Sequence, residues 1–150
     1  MLLLENRKAR QEYELLATYT AGVILLGGEV KSLRKRSGSF NGSYIKLIGG
    51  EAFLLNAQIT PYAFANNTDY DPKRTRKLLL HARELADLVE KTQQKGHSLI
   101  PLRFELAGRH VKLVFAVARG KKQYERRAEL KARAVERDIQ RELKEKVRVR

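Results

Sequence analysis

Two apolar alternations separated by a glycine turn restrict this chain more than any other feature. Ile100, Leu102, Phe104 and Leu106 alternate with Pro101, Arg103 and Glu105, and Val111, Leu113, Phe115 and Val117 repeat the theme after Ala107-Gly108-Arg109. A period of two with one apolar face is the pattern of a half-buried antiparallel strand, and the glycine joins the pair as a hairpin. The same logic applies upstream. Phe53, Leu55, Ala57 and Ile59 alternate with Leu54, Asn56 and Gln58, and Gly49-Gly50 separates Ser43–Ile48 from Glu51–Ile59. Glu12–Thr18 and Thr20–Leu26, rich in Tyr, Thr, Val and Ile, are further strand candidates. Six short strands in a small domain predict a mainly β fold closed into an antiparallel barrel, because closure removes exposed edges.

Helical patterns interrupt the strands. Glu29–Lys35 sets Val30 and Leu33 on an inward face, and Lys31 and Arg34, three apart, share an outward one. His81–Lys95 places Leu85, Leu88 and Val89 on one stripe and ends at Gly96. Pro61–Pro72 is polar and rich in turn formers, and reads as an exposed loop. Beyond Gln123 there is neither proline nor glycine; Ala128, Ala132, Val135, Ile139, Leu143 and Val147 form a narrow helical stripe. Glu129–Arg133 and Glu142–Lys146 support that helix, whereas Arg133–Arg137 and Arg137–Arg141 oppose it. Such a helix is marginal alone, so the tail is expected to be disordered in free solution and helical against a partner. The expected division is a barrel over 1–122 and a basic tail over 123–150.

Charge narrows the class of partner. The 150 residues carry 31 Lys and Arg against 17 Asp and Glu, a formal net charge of +14. The cations cluster: Arg7, Lys8 and Arg10; Lys31, Arg34, Lys35 and Arg36; Lys73, Arg74, Arg76 and Lys77; then Arg119, Lys121 and Lys122 running into the tail. An excess of this size repels itself unless a polyanion balances it, and nucleic acid is the expected counterpart. Around Gly120 the strand pattern stops and the tail begins, with Arg119, Lys121, Lys122, Arg126 and Arg127 flanking Tyr124. A cationic hinge with a stackable aromatic suits a phosphate-rich partner, and Tyr13, Tyr44 and Tyr62 are the other aromatic candidates.

Chemistry of other kinds finds little support. The chain has no cysteine, which excludes disulfides and thiolate metal sites. His81, His97 and His110 are scattered, and Asp69 and Asp71 on a proline-bounded turn make a weak metal signal. No phosphate-loop signature and no nucleophile elbow occurs. No catalytic residue, cofactor or metal site is expected. The short apolar start, Met1-Leu-Leu-Leu-Glu5, lacks a basic region before it, no apolar run reaches membrane-spanning length, and a cytoplasmic location is expected.

An ordered set of motifs resembles one family. Gly27-Gly-Glu-Val-Lys-Ser-Leu-Arg34 follows an apolar strand; then come Gly50-Glu-Ala-Phe-Leu-Leu-Asn56, Ile59-Thr-Pro-Tyr62, Asp71-Pro-Lys-Arg-Thr-Arg-Lys-Leu-Leu-Leu-His81 and Ala118-Arg-Gly-Lys-Lys122. In order and spacing these resemble the SmpB, or SsrA-binding protein, family from about Asn6 to Arg127. The resemblance implies an OB-like barrel with flanking helices. It further implies binding to the tRNA-like domain of transfer-messenger RNA and its delivery to stalled ribosomes for trans-translation, peptide tagging and ribosome rescue. Implied partners are that RNA, the decoding region of the small ribosomal subunit reached by the tail, and elongation factor Tu with the charged RNA, the protein being a monomer on its RNA. A general RNA-binding OB-fold factor associated with ribosomes is the alternative reading.

Carried over residue by residue, the resemblance implies RNA contacts at Asn6, Arg7, Lys8, Arg10, Glu29, Lys31, Arg34, Arg74, Arg76, Lys77, Arg119, Lys121 and Lys122. It implies ribosome contacts at Gly120, Tyr124, Glu125, Arg126 and Arg127; the family's acidic-Lys-Arg triplet is here Glu125-Arg126-Arg127. The chain departs from the family pattern at three places. Thr20 replaces a Glu, Lys35-Arg36-Ser37 replaces Ala-Gly-Lys, and Gly42 replaces an Asp, the last two being expected in an RNA-facing loop.

Overall fold

The structure, a computed structural model, describes residues 1–120 and Arg137. The chain divides between Gly120 and Lys121. Within Met1–Gly120, twelve elements follow one another: β1 (Leu2–Glu5), α1 (Ala9–Glu12), β2 (Tyr13–Val23), α2 (Gly27–Arg34), β3 (Gly38–Ser39), β4 (Tyr44–Ile48), β5 (Glu51–Leu55), β6 (Gln58–Ile59), β7 (Arg76–Leu79), α3 (Ala82–Thr92), β8 (His97–Ala107) and β9 (His110–Gly120).

Six strands close on themselves. The order β8-β4-β5-β7-β2-β9 returns to β8 through the long β8–β9 hairpin, every pairing is antiparallel, and β1 adds to the outer edge of β8. The β2–β9 and β8–β9 ladders are long, whereas β4 meets β8 through Ile45 and Leu99 alone, and β2 meets β7 through Gly22–Leu79 and Val23–Leu78. The predicted β class and six-stranded closure are both present.

The ring strands send Ala21, Ile45, Leu54, Leu78, Phe104, Leu113, Phe115 and Val117 into one core, which Leu33 of α2 and Leu88 of α3 join. Phe40 stacks on Phe104 there, with ring centroids 5.0 Å apart. A second, smaller core lies on the other face of β8 and β9. It gathers Ile100, Leu102, Val114, Ala116 and Ala118 under Ala9 of α1, with Tyr13 and Leu15 against it. β8 and β9 are therefore buried on both faces along much of their length, not on one as the alternation predicts. The pairing register shifts between Pro101 and Arg103, which is how Leu102 and Phe104 come to face different cores.

Other boundaries move for identifiable reasons. The two upstream strand candidates are one strand, β2, with a register shift between Leu15 and Ala17. The alternation drawn through Phe53–Ile59 breaks at Asn56, whose φ of 61° is left-handed; Ala52 and Leu54 face the core before it, Ala57 and Ile59 after it. α1 and β7 are absent from the sequence reading because the first has four residues and the second begins with a buried arginine. Two helices are entered through a carboxylate that reaches back to the free amide before the first turn: Glu29 Oε1 accepts from the Leu26 N–H at 2.8 Å, and Glu84 Oε1 from the His81 N–H at 3.2 Å.

Candidate nucleic-acid interface

The site is built around a buried carboxylate. Glu29 of α2 is 2% exposed, and the amide of Leu26 already ties one of its oxygens to the helix start. Arg74 donates to both oxygens, its Nε lying 3.1 Å from each. Arg76, fully enclosed at the start of β7, donates through Nε at 2.8 Å and Nη2 at 2.5 Å to Oε2. Its remaining N–H groups meet the carbonyls of Ala57, Arg74 and Pro72 at 2.7, 3.1 and 3.0 Å, so every donor of the fork is used. Tyr70 completes the cluster: its hydroxyl lies 3.0 Å from Glu29 Oε2 and 2.9 Å from the Ile59 carbonyl, donating to one at a time.

These contacts set the charge states. Burial acts to raise the Glu29 pKa, but the hydrogen bonds from Arg74, the Leu26 amide and Arg76 together outweigh it and hold the group below the ordinary value. Burial, then the Glu29 hydrogen bond and its negative charge, push the Tyr70 phenol up to about 12. Glu29 is thus a fixed anion that pins α2, the end of the 61–72 loop and β7 to one another.

The family resemblance implies RNA contacts at Glu29 and Arg76; here both side chains are buried against each other and belong to the frame that positions α2 and Arg74. Arg74 keeps 26% of its side-chain surface while paired with Glu29, and Lys77 is paired with Glu51 at 3.0 Å. Asn6 is half-buried and structural in its contacts: its amide nitrogen donates to the Pro101 carbonyl at 2.8 Å and its backbone N–H to Leu102 at 2.7 Å. Arg7, Lys8 and Arg10 are exposed around α1, and Lys31 and Arg34 are exposed on α2 as the spacing predicts. Arg119 is half-exposed and paired with Glu14. Gly120 ends β9 opposite Tyr13 and has no positive φ. Lys121, Lys122, Tyr124, Glu125, Arg126 and Arg127 lie outside the described residues, as does nearly all of the segment in which the sequence predicts a tail helix.

The fold joins clusters that are far apart in sequence. Arg7, which follows β1, and Arg36, which follows α2, line one groove of about 300 Å³. Lys8 and Asn6 share a second groove, of about 400 Å³, with Asn41, Gly42 and Ser43. Two of the family departures gain a structural meaning here. Arg36, at φ 57°, is the left-handed residue that ends α2, with its N–H on Leu33 at 2.8 Å and the Ser37 N–H on Ser32 at 3.0 Å. Gly42 adopts φ 75°, which a glycine accepts without strain.

Two lysines of α2 meet aromatic rings of the 61–72 loop. Lys31 and Lys35 lie over the Tyr62 ring, 5.4 and 5.2 Å from its centroid, and Lys35 lies 5.9 Å from that of Phe64. In the sequence the signal is the pair Tyr62 and Phe64, set two apart at the start of a loop whose later part is polar.

A second polar cluster fixes α3. Tyr19 of β2 donates to Asp87 at 2.5 Å and accepts from Lys91 at 2.7 Å, while its ring stacks on Phe115 at 5.6 Å. Among the described residues, no group of three or more His, Cys, Asp or Glu is placed to hold a metal, and no helix is long and apolar enough to cross a membrane.

A closed antiparallel ring whose helices and loops display clustered cations defines a basic, OB-like β protein suited to a polyanion. Residues 3–145 match the SmpB protein family. The SsrA-binding protein of Staphylococcus saprophyticus is 48% identical over 142 residues, covering 95% of this chain and 92% of its own; that of Aquifex aeolicus is 46% identical over 144 residues with the same coverage. A chain from a solved tmRNA-SmpB structure concerning the bacterial ribosome superposes with a TM-score of 0.69 at 46% identity, over 82% of this chain and 87% of that one. The chain belongs to the SmpB family.

Proposed function

We propose that this chain binds transfer-messenger RNA at its tRNA-like domain and helps deliver it to stalled ribosomes, where trans-translation tags the incomplete peptide and frees the ribosome. The observation that carries the reading is the 46–48% identity to SsrA-binding proteins across 95% of the chain. The geometry supports it: a rigid ring presents exposed Arg7, Lys8, Arg10, Lys31 and Arg34, with Arg74 held at the rim by Glu29. Folded RNA is recognised mainly through shape, phosphates and 2′-hydroxyls, which suits cations fixed on a stiff frame. Arg119, Lys121 and Lys122 extend the RNA contact. Gly120, Tyr124, Glu125, Arg126 and Arg127 begin the part that engages the ribosome. The chain acts as a cytoplasmic binding factor, without catalysis of its own.

A reconstituted translation system stalled on a message lacking a stop codon tests this. With transfer-messenger RNA present, adding the purified chain produces tagged peptide; absence of tagging, with the RNA known to be charged, counts against the proposal.

A further inference from the structure

Phe64 is 82% exposed, the most exposed of the large hydrophobic side chains among the described residues. Its ring stands edge-on to Tyr62 at 5.5 Å and 66°, so one aromatic face remains open to solvent beside a half-buried ring. The turn that carries the pair is built, not loose. The Ala65 N–H donates to the Tyr62 carbonyl at 3.1 Å, and the Asn67 side-chain amide donates to the same oxygen at 2.7 Å. Further along, Asn66 accepts from the Thr68 hydroxyl at 2.7 Å, and Tyr70 anchors the loop's far end to Glu29. Against α2 the turn fits closely: a methyl group at Gly28 would lie 3.3 Å from the Ala65 Cβ and 3.5 Å from the Tyr62 Cβ. α2 therefore sets Lys31 beside the Tyr62 ring and Lys35 beside both rings, and exposed Arg34 continues the same helix.

We infer that Phe64, Tyr62, Lys31 and Lys35 form a stacking site for one unstacked RNA base, with the lysines binding the phosphates that flank it. The inference rests on the RNA-binding function proposed above and adds a contact to it. The chemistry selects a nucleotide over a protein partner. An open aromatic face bordered by ammonium groups matches a unit that carries a π-face and an anion together, whereas an apolar peptide would strand the lysines against its surface. Stacking tolerates any base, so the site fixes the RNA's position without reading its sequence.

The chain contains no tryptophan, so Phe64→Trp supplies a single fluorophore at the site. Full-length Phe64→Trp is titrated with the tRNA-like fragment of transfer-messenger RNA, with a gel mobility shift run in parallel on the native chain and on Phe64→Ala. Stacking predicts saturable quenching with the midpoint of the mobility shift, and an affinity loss in Phe64→Ala of about 5- to 150-fold. Absence of quenching, or unchanged affinity in Phe64→Ala, overturns the proposal if the native chain still shifts the RNA, and leaves RNA binding standing. A Phe64→Ala chain that binds transfer-messenger RNA normally but fails in tagging overturns it likewise, because the ring then acts on something other than that RNA. If the native chain fails to shift the RNA, the RNA-binding reading falls and the stacking site falls with it.

Discussion

The guanidinium of Arg76 grips Glu29 Oε2 through both Nε and Nη2, at 2.8 and 2.5 Å, and neither side chain reaches solvent. Removing one partner of such a pair leaves an uncompensated buried charge, which costs about 3–5 kcal/mol. Glu29→Ala and Arg76→Ala are each expected to lose stability of that order in urea denaturation. Lys31→Ala, on the exposed face of the same helix, is expected to stay within about 0.5 kcal/mol of the native chain. Equal losses at all three positions would show that the pair is not what joins α2 to β7. Reversing the charge at Arg76 would face two carboxylates in a buried site, so that change unfolds the chain and says nothing about RNA.

Acid sensitivity follows from the same cluster. The folded-state pKa of Glu29 is lowered from the ordinary value of 4.5, so the folded state binds fewer protons than the unfolded one below that value. The stabilisation is fully present above pH 4.5 and disappears as pH falls through the lower folded-state value. Glu29→Gln should be less stable at neutral pH and should lose that part of the acid slope. Thermal unfolding across the acid range reads both, and parallel curves for the two chains would contradict the assignment.

Arg36 ends α2 in the left-handed region at φ 57°, a conformation that costs a residue with a side chain about 1–2 kcal/mol and glycine little. Arg36→Gly is expected to stabilise the ring unit by about 1 kcal/mol in denaturant unfolding. A loss of stability would mean that the arginine side chain contributes more in its groove with Arg7 than its backbone conformation costs.

The exposed cations of α2 should govern the salt response. Each phosphate contact contributes roughly 0.7 to 0.9 to the fall of log K with log salt. Removing Lys31 and Arg34 together is expected to flatten the slope by roughly twice that, with the fold retained because neither side chain is buried. Circular dichroism checks the fold, and an unchanged slope would place α2 away from the RNA.

The parts of this molecule legible in the sequence are those that local pattern determines. The β8–β9 hairpin, the Gly49-Gly50 turn and the outward face of α2 follow from period, turn chemistry and spacing. Long-range pairing is what remained hidden. Arg76 reads as one more cation in a basic run, because nothing near it shows that a glutamate 47 residues earlier will enclose it. The second face of β9 hides for a similar reason: Val114, Ala116 and Ala118 look like the weak side of an alternation until α1 covers them. Arg36 and Gly42 look like altered RNA contacts, whereas their backbone angles place them in turns. The family resemblance implies RNA contacts at Glu29 and Arg76 in two separate motifs, and only the fold shows that the two side chains are buried against each other.

Competition between RNAs separates a dedicated transfer-messenger RNA partner from a general RNA-binding factor. The full-length chain is bound to labelled transfer-messenger RNA at fixed salt and challenged with unlabelled transfer-messenger RNA or with bulk tRNA. The family assignment and the clustered, pre-positioned cations predict that transfer-messenger RNA displaces the label at far lower concentration than bulk tRNA. Equal displacement by the two would contradict the account and identify a general RNA-binding factor.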